Sequence, residues 1–175
     1  MSAEATISFA RGAPSLDIID QEGLREAAQA GLSADPGGAF AYGTSIGYPP
    51  LRDWIAERHG VSPERVIVTN GSMQADAFLF QTVVGEGDPV IVERPTYDRT
   101  LLWLRDRARA LVRAVPLEAD GIAVDQLASL LDDGLRPKLA HIIPNFHNPA
   151  GCTLSMAKRE RLLELAAAHG FLIFE

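Results

Sequence analysis

Short apolar runs alternate with amphipathic stretches of helical length from Arg65 to the end of the chain, and this alternation constrains the fold more than any other feature. The pattern is typical of parallel strands connected by crossover helices. It therefore predicts an α/β fold with a mainly parallel sheet. The predicted strands are residues 65–69, 89–93, 111–116, 139–143 and 171–174, and the predicted helices are residues 72–84, 98–108, 124–133 and 155–169.

The first third of the chain has a different pattern. Residues 20–32 have helical periodicity, which the Pro36-Gly37-Gly38 segment interrupts. A second helix is predicted over residues 49–59, because its two leading prolines suit a first turn, where a backbone N–H is not required. We therefore expect an N-terminal arm and helix in residues 1–47, followed by the α/β domain in residues 48–175.

Charge and composition argue against several classes of partner. The formal net charge is −7, and the 16 basic residues are scattered among 23 acidic ones, so nucleic acid is not an expected partner. No window approaches the roughly 18 apolar residues of a membrane span, and the first residues lack a basic leader. The sequence thus favours a cytoplasmic protein without a membrane partner. A single cysteine leaves no thiol cluster for zinc, and no metal site is expected.

Three polar loops each follow a predicted strand and therefore lie at the same edge of the sheet, where open α/β sheets bind ligands. The Asn70-Gly71-Ser72 turn leads into a helix, whose first N–H groups suit a phosphate. Tyr97, after Pro95, can stack on a flat cofactor. The rigid loop from Asn145 to Gly151 can present a side-chain amide to a ligand oxygen.

Each of these loops also has an ordinary structural explanation. Gly-Ser between a strand and a helix is common turn and cap chemistry, Tyr97 can pack beside the next helix, and Asn148-Pro149 commonly starts a turn. The first loop matches neither a Walker A loop nor the dinucleotide fingerprint.

Together and in this order, the three loops resemble those of class I/II aminotransferases of pyridoxal-phosphate (PLP) fold type I. The similarity is greatest to the aminoadipate and kynurenine aminotransferase branch, and it covers nearly the whole chain. It implies the three-layer large domain of a PLP transferase with a mainly parallel sheet that is incomplete here. The implied activity is PLP-dependent transfer of an amino group between an amino acid and a 2-oxo acid.

The resemblance also implies roles for individual residues around the cofactor. The backbone N–H groups of Ser72 and Met73 hold the phosphate, and Gln74 follows them at the matching helix start. Tyr97 stacks on the pyridine ring, and Asn148 donates a hydrogen bond to its phenolic oxygen.

Two further residues of the arm match family positions. Tyr42 belongs to a Tyr-Gly-x-x-x-Gly segment and is expected to reach the cofactor phosphate of the neighbouring subunit, which implies a homodimer when the protein is complete. Gly12 matches the glycine that lines the substrate's carboxylate.

The departures from the family pattern concern the catalytic residues. Family members continue past the 171–175 segment with an aspartate for the pyridine nitrogen, a lysine that forms the Schiff base and an arginine for the substrate. None of these matches a residue of this chain, and both lysines, Lys138 and Lys158, are expected to be solvated surface charges. We therefore expect no catalytic residue and no activity from the chain alone.

The family fold also places two later strands beside residues 65–69, so this predicted strand lacks its natural neighbour here. The sequence leaves three alternative functions open: a PLP lyase of the same fold, the effector domain of a transcription regulator, or a noncatalytic phosphate-binding α/β module.

Overall fold

The computed structural model describes residues 15–175. The chain divides into two compact units, with the boundary between Val68 and Thr69. The boundary expected between residues 47 and 48 stays a prediction. The described part of the first unit is helical. Its helices are α1 (Gln21–Ala34), α2 (Pro36–Phe40) and α3 (Pro49–His59), with short 3-10 turns at Leu16–Ile18 and Pro63–Arg65.

Asp35 separates α1 from α2 and confirms the predicted break. Its carboxylate accepts hydrogen bonds from the Gly38 N–H at 2.8 Å and from the Tyr48 hydroxyl at 2.6 Å. The first bond caps the start of α2, where Pro36 occupies the first helical position. The short helix α2 was not predicted, because Pro36, Gly37 and Gly38 were interpreted only as a helix break.

The strand predicted at residues 65–69 is wrong. Residues up to Arg65 form a 3-10 turn, and the segment after Val66 pairs with no strand in the part of the chain that the structure describes. The buried Arg52 side chain instead donates hydrogen bonds to the carbonyls of Val66 at 2.8 Å and Pro63 at 2.5 Å. An apolar segment without a neighbouring strand lacks the ladder of hydrogen bonds that defines a strand.

The second unit is built on a five-stranded sheet, which confirms the α/β class. The strand order is β3-β2-β1-β4-β5, with β1, β2, β4 and β5 parallel and β3 antiparallel to β2. The strands are β1 (Pro89–Arg94), β2 (Leu111–Glu118), β3 (Gly121–Ile122), β4 (Leu139–His141) and β5 (Leu172–Phe174).

Four helices of the second unit follow the predicted ranges closely. They are α4 (Ser72–Val83), α5 (Asp98–Leu102), which continues as a π-helical turn (Trp103–Arg107), α6 (Val124–Asp132) and α7 (Met156–His169). Helix α7 ends at Gly170, which adopts a left-handed conformation with a φ of 72°.

Buried side chains on the two faces of the sheet form two separate clusters. Along β1, Ile91 belongs to the cluster that includes side chains of α6 and α7, whereas Val90 and Val92 belong to the cluster that includes Phe80 of α4. Successive residues of a strand point to opposite faces, so this alternation shows that helices cover both sides of the sheet. The arrangement has three layers.

The parallel strands end together at one edge of the sheet. Val92 of β1 lies opposite His141 of β4, which lies opposite Phe174 of β5. The loops that follow β1 and β4 therefore emerge side by side. None of the helices described here is both long and apolar enough to cross a membrane.

Candidate functional site

A cavity of about 440 Å³ lies at the carboxyl ends of the parallel strands in the second unit. It contains one residue from each of the three loops singled out in the sequence: Ser72, Tyr97 and Asn148. The structure thus brings the three loops together at one edge, as expected. The cavity is lined by Ser72, Asp76, Tyr97, Thr100, His141, Ile143, Asn148 and Glu175.

The start of α4 presents free hydrogen-bond donors. Gly71 has a φ of 80°, a conformation that glycine adopts readily, and it precedes the first helical residue. The N–H groups of Ser72 and Met73 donate to no acceptor among residues 15–175. Such free N–H groups at the positive end of a twelve-residue helix suit an anion such as a phosphate.

Gln74 and Met73 have other surroundings. The Gln74 side chain accepts a hydrogen bond from the Asn70 N–H at 2.8 Å and so closes the turn. Met73 lines a different hollow, of about 240 Å³, together with Arg99 and Trp103. Neither side chain lines the cavity, and their roles toward a ligand stay predictions.

Asp76 and His141 line the cavity and were missed in the sequence. Asp76 lies one helical turn after Ser72 and is buried, and burial raises the pKa of its carboxyl group. Its Oδ2 lies 3.5 Å from the Thr100 hydroxyl. Their signals in the sequence are weak: a carboxylate four residues after Ser72, and one imidazole in an otherwise apolar strand.

His141 is buried at the end of β4 among aromatic rings. Its ring centroid lies 5.5 Å from that of Phe174 and 6.1 Å from that of Phe80, both edge-on. Burial lowers the pKa of His141 to about 4, so the ring is neutral at pH 7. Its Nδ1 has no hydrogen-bond partner among the described residues.

A second buried histidine lies behind the cavity. His147 Nε2 is 3.0 Å from Oε2 of Glu93, at the end of β1, and both side chains are almost fully buried. Burial raises the pKa of Glu93 to about 7 and lowers the pKa of His147. Neither residue was predicted from the sequence to have a role at the site.

The hydrogen-bond donors and the side chains that line the cavity fit a phosphorylated aromatic cofactor. Free N–H groups lie at the helix start near Ser72, a half-buried aromatic side chain lies at Tyr97, and the exposed Asn148 carries an amide on a rigid loop. The buried polar atoms of Asp76 and His141 add groups that a polar ring can contact. PLP has the phosphate and the ring that this set of groups can hold.

The roles of two further residues, Tyr42 and Gly12, stay predictions. Tyr42 is fully exposed in the first unit, and Gly12 lies outside the described residues. The expectation for Lys138 is confirmed, since it is exposed.

Lys158 differs from the expectation of a solvated charge. Its side chain is 12% exposed and contacts Glu118 at 2.5 Å and Asp120 at 2.6 Å, because α7 places it beside the turn after β2. Burial alone lowers the pKa of Lys158, but the hydrogen bonds from its ammonium group to these carboxylates raise it overall.

Comparison with known proteins identifies the family. The family described as "Aminotransferase class I and II" matches residues 6–174. The chain is 34% identical to aromatic-amino-acid aminotransferase 1 of Thermococcus litoralis, over 97% of this chain and 43% of that protein. It is also 34% identical to 2-aminoadipate transaminase of Thermus thermophilus, over 97% of this chain and 42% of the relative.

A solved structure supports the same relationship. The structure of α-aminoadipate aminotransferase from Thermus thermophilus, complexed with N-(5'-phosphopyridoxyl)-L-leucine, superposes with a TM-score of 0.86 at 33% identity. The match covers 94% of this chain and 42% of that one. The chain thus spans less than half the length of these relatives. It belongs to the class I and II aminotransferase family.

Proposed function

We propose that this chain is the leading portion of a PLP-dependent aminotransferase that transfers an amino group between an amino acid and a 2-oxo acid, and that it is inactive alone. The convergence of Ser72, Tyr97 and Asn148 on one cavity is the observation that carries the proposal. The family relationship supports it, because relatives of the same fold are aminotransferases.

In this proposal each loop has a separate task in holding the cofactor. The free N–H groups of Ser72 and Met73 bind the phosphate, Tyr97 stacks on the ring and Asn148 donates to the phenolic oxygen. When bound, PLP supplies a ring that withdraws electrons from the amino acid's Cα. The buried cavity wall at Asp76 and His141 limits the access of water to the ring.

Several finer features belong to the same proposal. The complete protein is a cytoplasmic homodimer that acts in amino acid metabolism, with Tyr42 reaching the partner's cofactor phosphate and Gly12 beside the substrate's carboxylate. The exposure of the Tyr42 ring supports its part in a contact with another chain. The acidic net charge supports the absence of a nucleic-acid partner.

Binding of pyridoxine 5'-phosphate to the chain tests the cofactor site. This compound has the ring and the phosphate of PLP but no aldehyde, so surface lysines cannot capture it. We expect one binding site, and we expect Tyr97→Ala to weaken binding about tenfold through lost stacking. Isothermal titration calorimetry measures both affinities.

The matched control is Phe146→Ala, which removes another aromatic ring from a neighbouring loop. Phe146 is 86% exposed and does not line the cavity, so this variant should bind like wild type. The cofactor site would be wrong if Tyr97→Ala and Phe146→Ala had the same affinity as wild type.

A further inference from the structure

Glu93 and His147 connect the two loops that carry Tyr97 and Asn148. Glu93 lies four residues before Tyr97 at the end of β1, and His147 directly precedes Asn148. Their side chains are 1% and 0% exposed, and the 3.0 Å contact between Nε2 and Oε2 joins the loops. Burying two titratable groups is unfavourable unless they satisfy each other, so this pair requires an explanation.

The hydrogen bonds around His147 define its protonation state. Its Nδ1 accepts a hydrogen bond from the Ala150 N–H at 3.2 Å, so Nδ1 cannot itself carry a proton. A neutral imidazole then has its proton on Nε2, which faces Glu93. The Nε2–H does not point straight at Oε2, but it has no other acceptor among the described residues.

As a carboxylate, Glu93 can accept a hydrogen bond from the Nε2–H. Its Oε2 already accepts a hydrogen bond from the Ile143 N–H at 2.7 Å, which favours the charged form. An imidazolium would instead direct a second N–H at the Ala150 N–H, and two donors repel each other. Above about pH 7, where Glu93 is ionised, the contacts therefore favour a neutral histidine beside the carboxylate over an ion pair.

The backbone of His147 is also hydrogen-bonded within the loop that contains Asn148. The His147 N–H donates to the Cys152 carbonyl at 2.8 Å, and the Gly151 N–H donates to the His147 carbonyl at 2.6 Å. With the Ala150 bond to Nδ1, His147 makes three hydrogen bonds within the loop that contains Asn148. Loss of the side-chain bond to Ala150 would therefore loosen the loop that contains Asn148.

We infer that Glu93 and the neutral Nε2–H form of His147 are a positioning pair that fixes the Asn148 side chain at the cavity. Neither residue lines the cavity, so the pair acts through the loop and not on a ligand. The inference rests on the proposed function, because the position of Asn148 affects a reaction only if the cavity holds the cofactor.

The pair predicts opposite behaviour for two substitutions of similar size. Glutamine has an amide NH2 group and a carbonyl oxygen. In His147→Gln the NH2 group can donate to Glu93 and the oxygen can accept from the Ala150 N–H, as the two nitrogens of the neutral imidazole do. His147→Leu fills similar space but makes neither hydrogen bond. A role limited to filling the core would favour leucine, whereas a positioning role favours glutamine.

Nitrogen-15 NMR of the cofactor-free chain tests the pair directly. At pH 8 we expect the His147 ring to be neutral with its proton on Nε2. We expect hydrogen exchange at the Ala150 amide to be about tenfold faster in His147→Leu and within about twofold of wild type in His147→Gln. An imidazolium, a proton on Nδ1, or unchanged exchange in His147→Leu would overturn the inference; the wild-type measurement requires no variant to fold.

The phenolic pKa of bound pyridoxine 5'-phosphate tests the effect on Asn148. Asn148→Ala should raise this pKa, since the amide favours the deprotonated oxygen. His147→Leu should raise it in the same direction, and His147→Gln should leave it near the wild-type value, as followed by absorbance.

The possible failures are distinguishable. If Asn148→Ala raises the phenolic pKa and His147→Leu does not, the cofactor site stands and the positioning role is wrong. If wild type does not bind pyridoxine 5'-phosphate at all, the proposed function fails, and the positioning of Asn148 for a cofactor fails with it.

Discussion

His141 lies in an environment very different from water. Its imidazole packs against the rings of Phe80 and Phe174, and burial lowers its pKa from 6.5 to about 4. Between these two values the unfolded chain binds a proton on His141 and the folded chain does not. The contribution of His141 to the free energy of unfolding therefore increases as pH rises from about 4 to 6.5.

Substitution of His141 by phenylalanine should remove this pH dependence while keeping a ring against the same neighbours. From pH 4 to 6.5, the stability of wild type relative to His141→Phe should rise by up to about 3 kcal/mol. Urea unfolding at several pH values measures the difference. A constant difference between the two proteins across this range would show that His141 titrates normally.

Glu93 has the opposite effect on stability. Its pKa is raised to about 7 from an ordinary 4.5, so the folded chain holds a proton that the unfolded chain has lost. Its contribution to the free energy of unfolding falls as pH rises from about 4.5 to 7. The two contributions largely offset each other in wild type, so the comparison with His141→Phe is needed to separate them.

Lys158 leads to a prediction about covalent chemistry. Its contacts with Glu118 and Asp120 raise its pKa, and a protonated amine cannot attack an aldehyde. After the chain is mixed with PLP and reduced with borohydride, we expect no stoichiometric adduct at one defined lysine. Mass spectrometry identifies the modified residues. Full reduction onto Lys138 or Lys158, together with transaminase activity, would contradict the account.

Sequence patterns predicted the site loops better than the buried residues behind them. Turn glycine, an aromatic residue after a strand and an Asn-Pro loop are local signals, and Ser72, Tyr97 and Asn148 do meet at the cavity. Asp76 and His141 have no such signal, because their importance depends on which elements pack against them.

At the scale of elements, long periodic helices and strands with parallel neighbours were predictable from the sequence. The predictions failed where the structure of a segment depends on another segment that pairs with it. Residues 65–69 have the apolar composition of a strand but no neighbouring strand in the described structure, and the Val66 carbonyl accepts a hydrogen bond from Arg52 instead. Strand β3 has two residues, too few for an alternation of apolar and polar side chains, so the sequence did not indicate it.

The β2–β3 hairpin depends on a close contact at Gly121. Its φ is 110°, and a Cβ at this position would lie 2.4 Å from Leu154 Cδ1 and 3.0 Å from Leu154 Cα. A glycine is therefore required both for the backbone conformation and for the space.

Gly121→Ala should destabilise the chain by about 2 kcal/mol more than Gly134→Ala, because only the first substitution creates a clash. Gly134 is the matched control, since its φ is also positive, at 98°, and no atom lies within 4 Å of an added Cβ. Chemical unfolding measures both. Equal decreases in the free energy of unfolding would show that backbone strain alone, without the clash, causes the destabilisation.

At the scale of the whole molecule, the sheet has an open edge. β5 is an edge strand of the described sheet, and its Leu172 side chain is 52% exposed. An exposed apolar edge strand is prone to pair with another segment. The chain also spans only 42–43% of the relatives' length, so a complementary segment of the family fold is the partner we propose for this edge.

Completion of the chain tests the central claim, that it contributes the cofactor-holding half of an aminotransferase. The chain is joined to the complementary carboxyl-terminal portion of Thermus thermophilus 2-aminoadipate transaminase, and the chain and that portion are also assayed separately. We expect the folded fusion protein to retain PLP and to transfer an amino group from an amino acid to 2-oxoglutarate, while neither part alone transfers an amino group. A folded fusion protein that retains PLP and transfers no amino group, or equal activity from the chain alone, would contradict this claim.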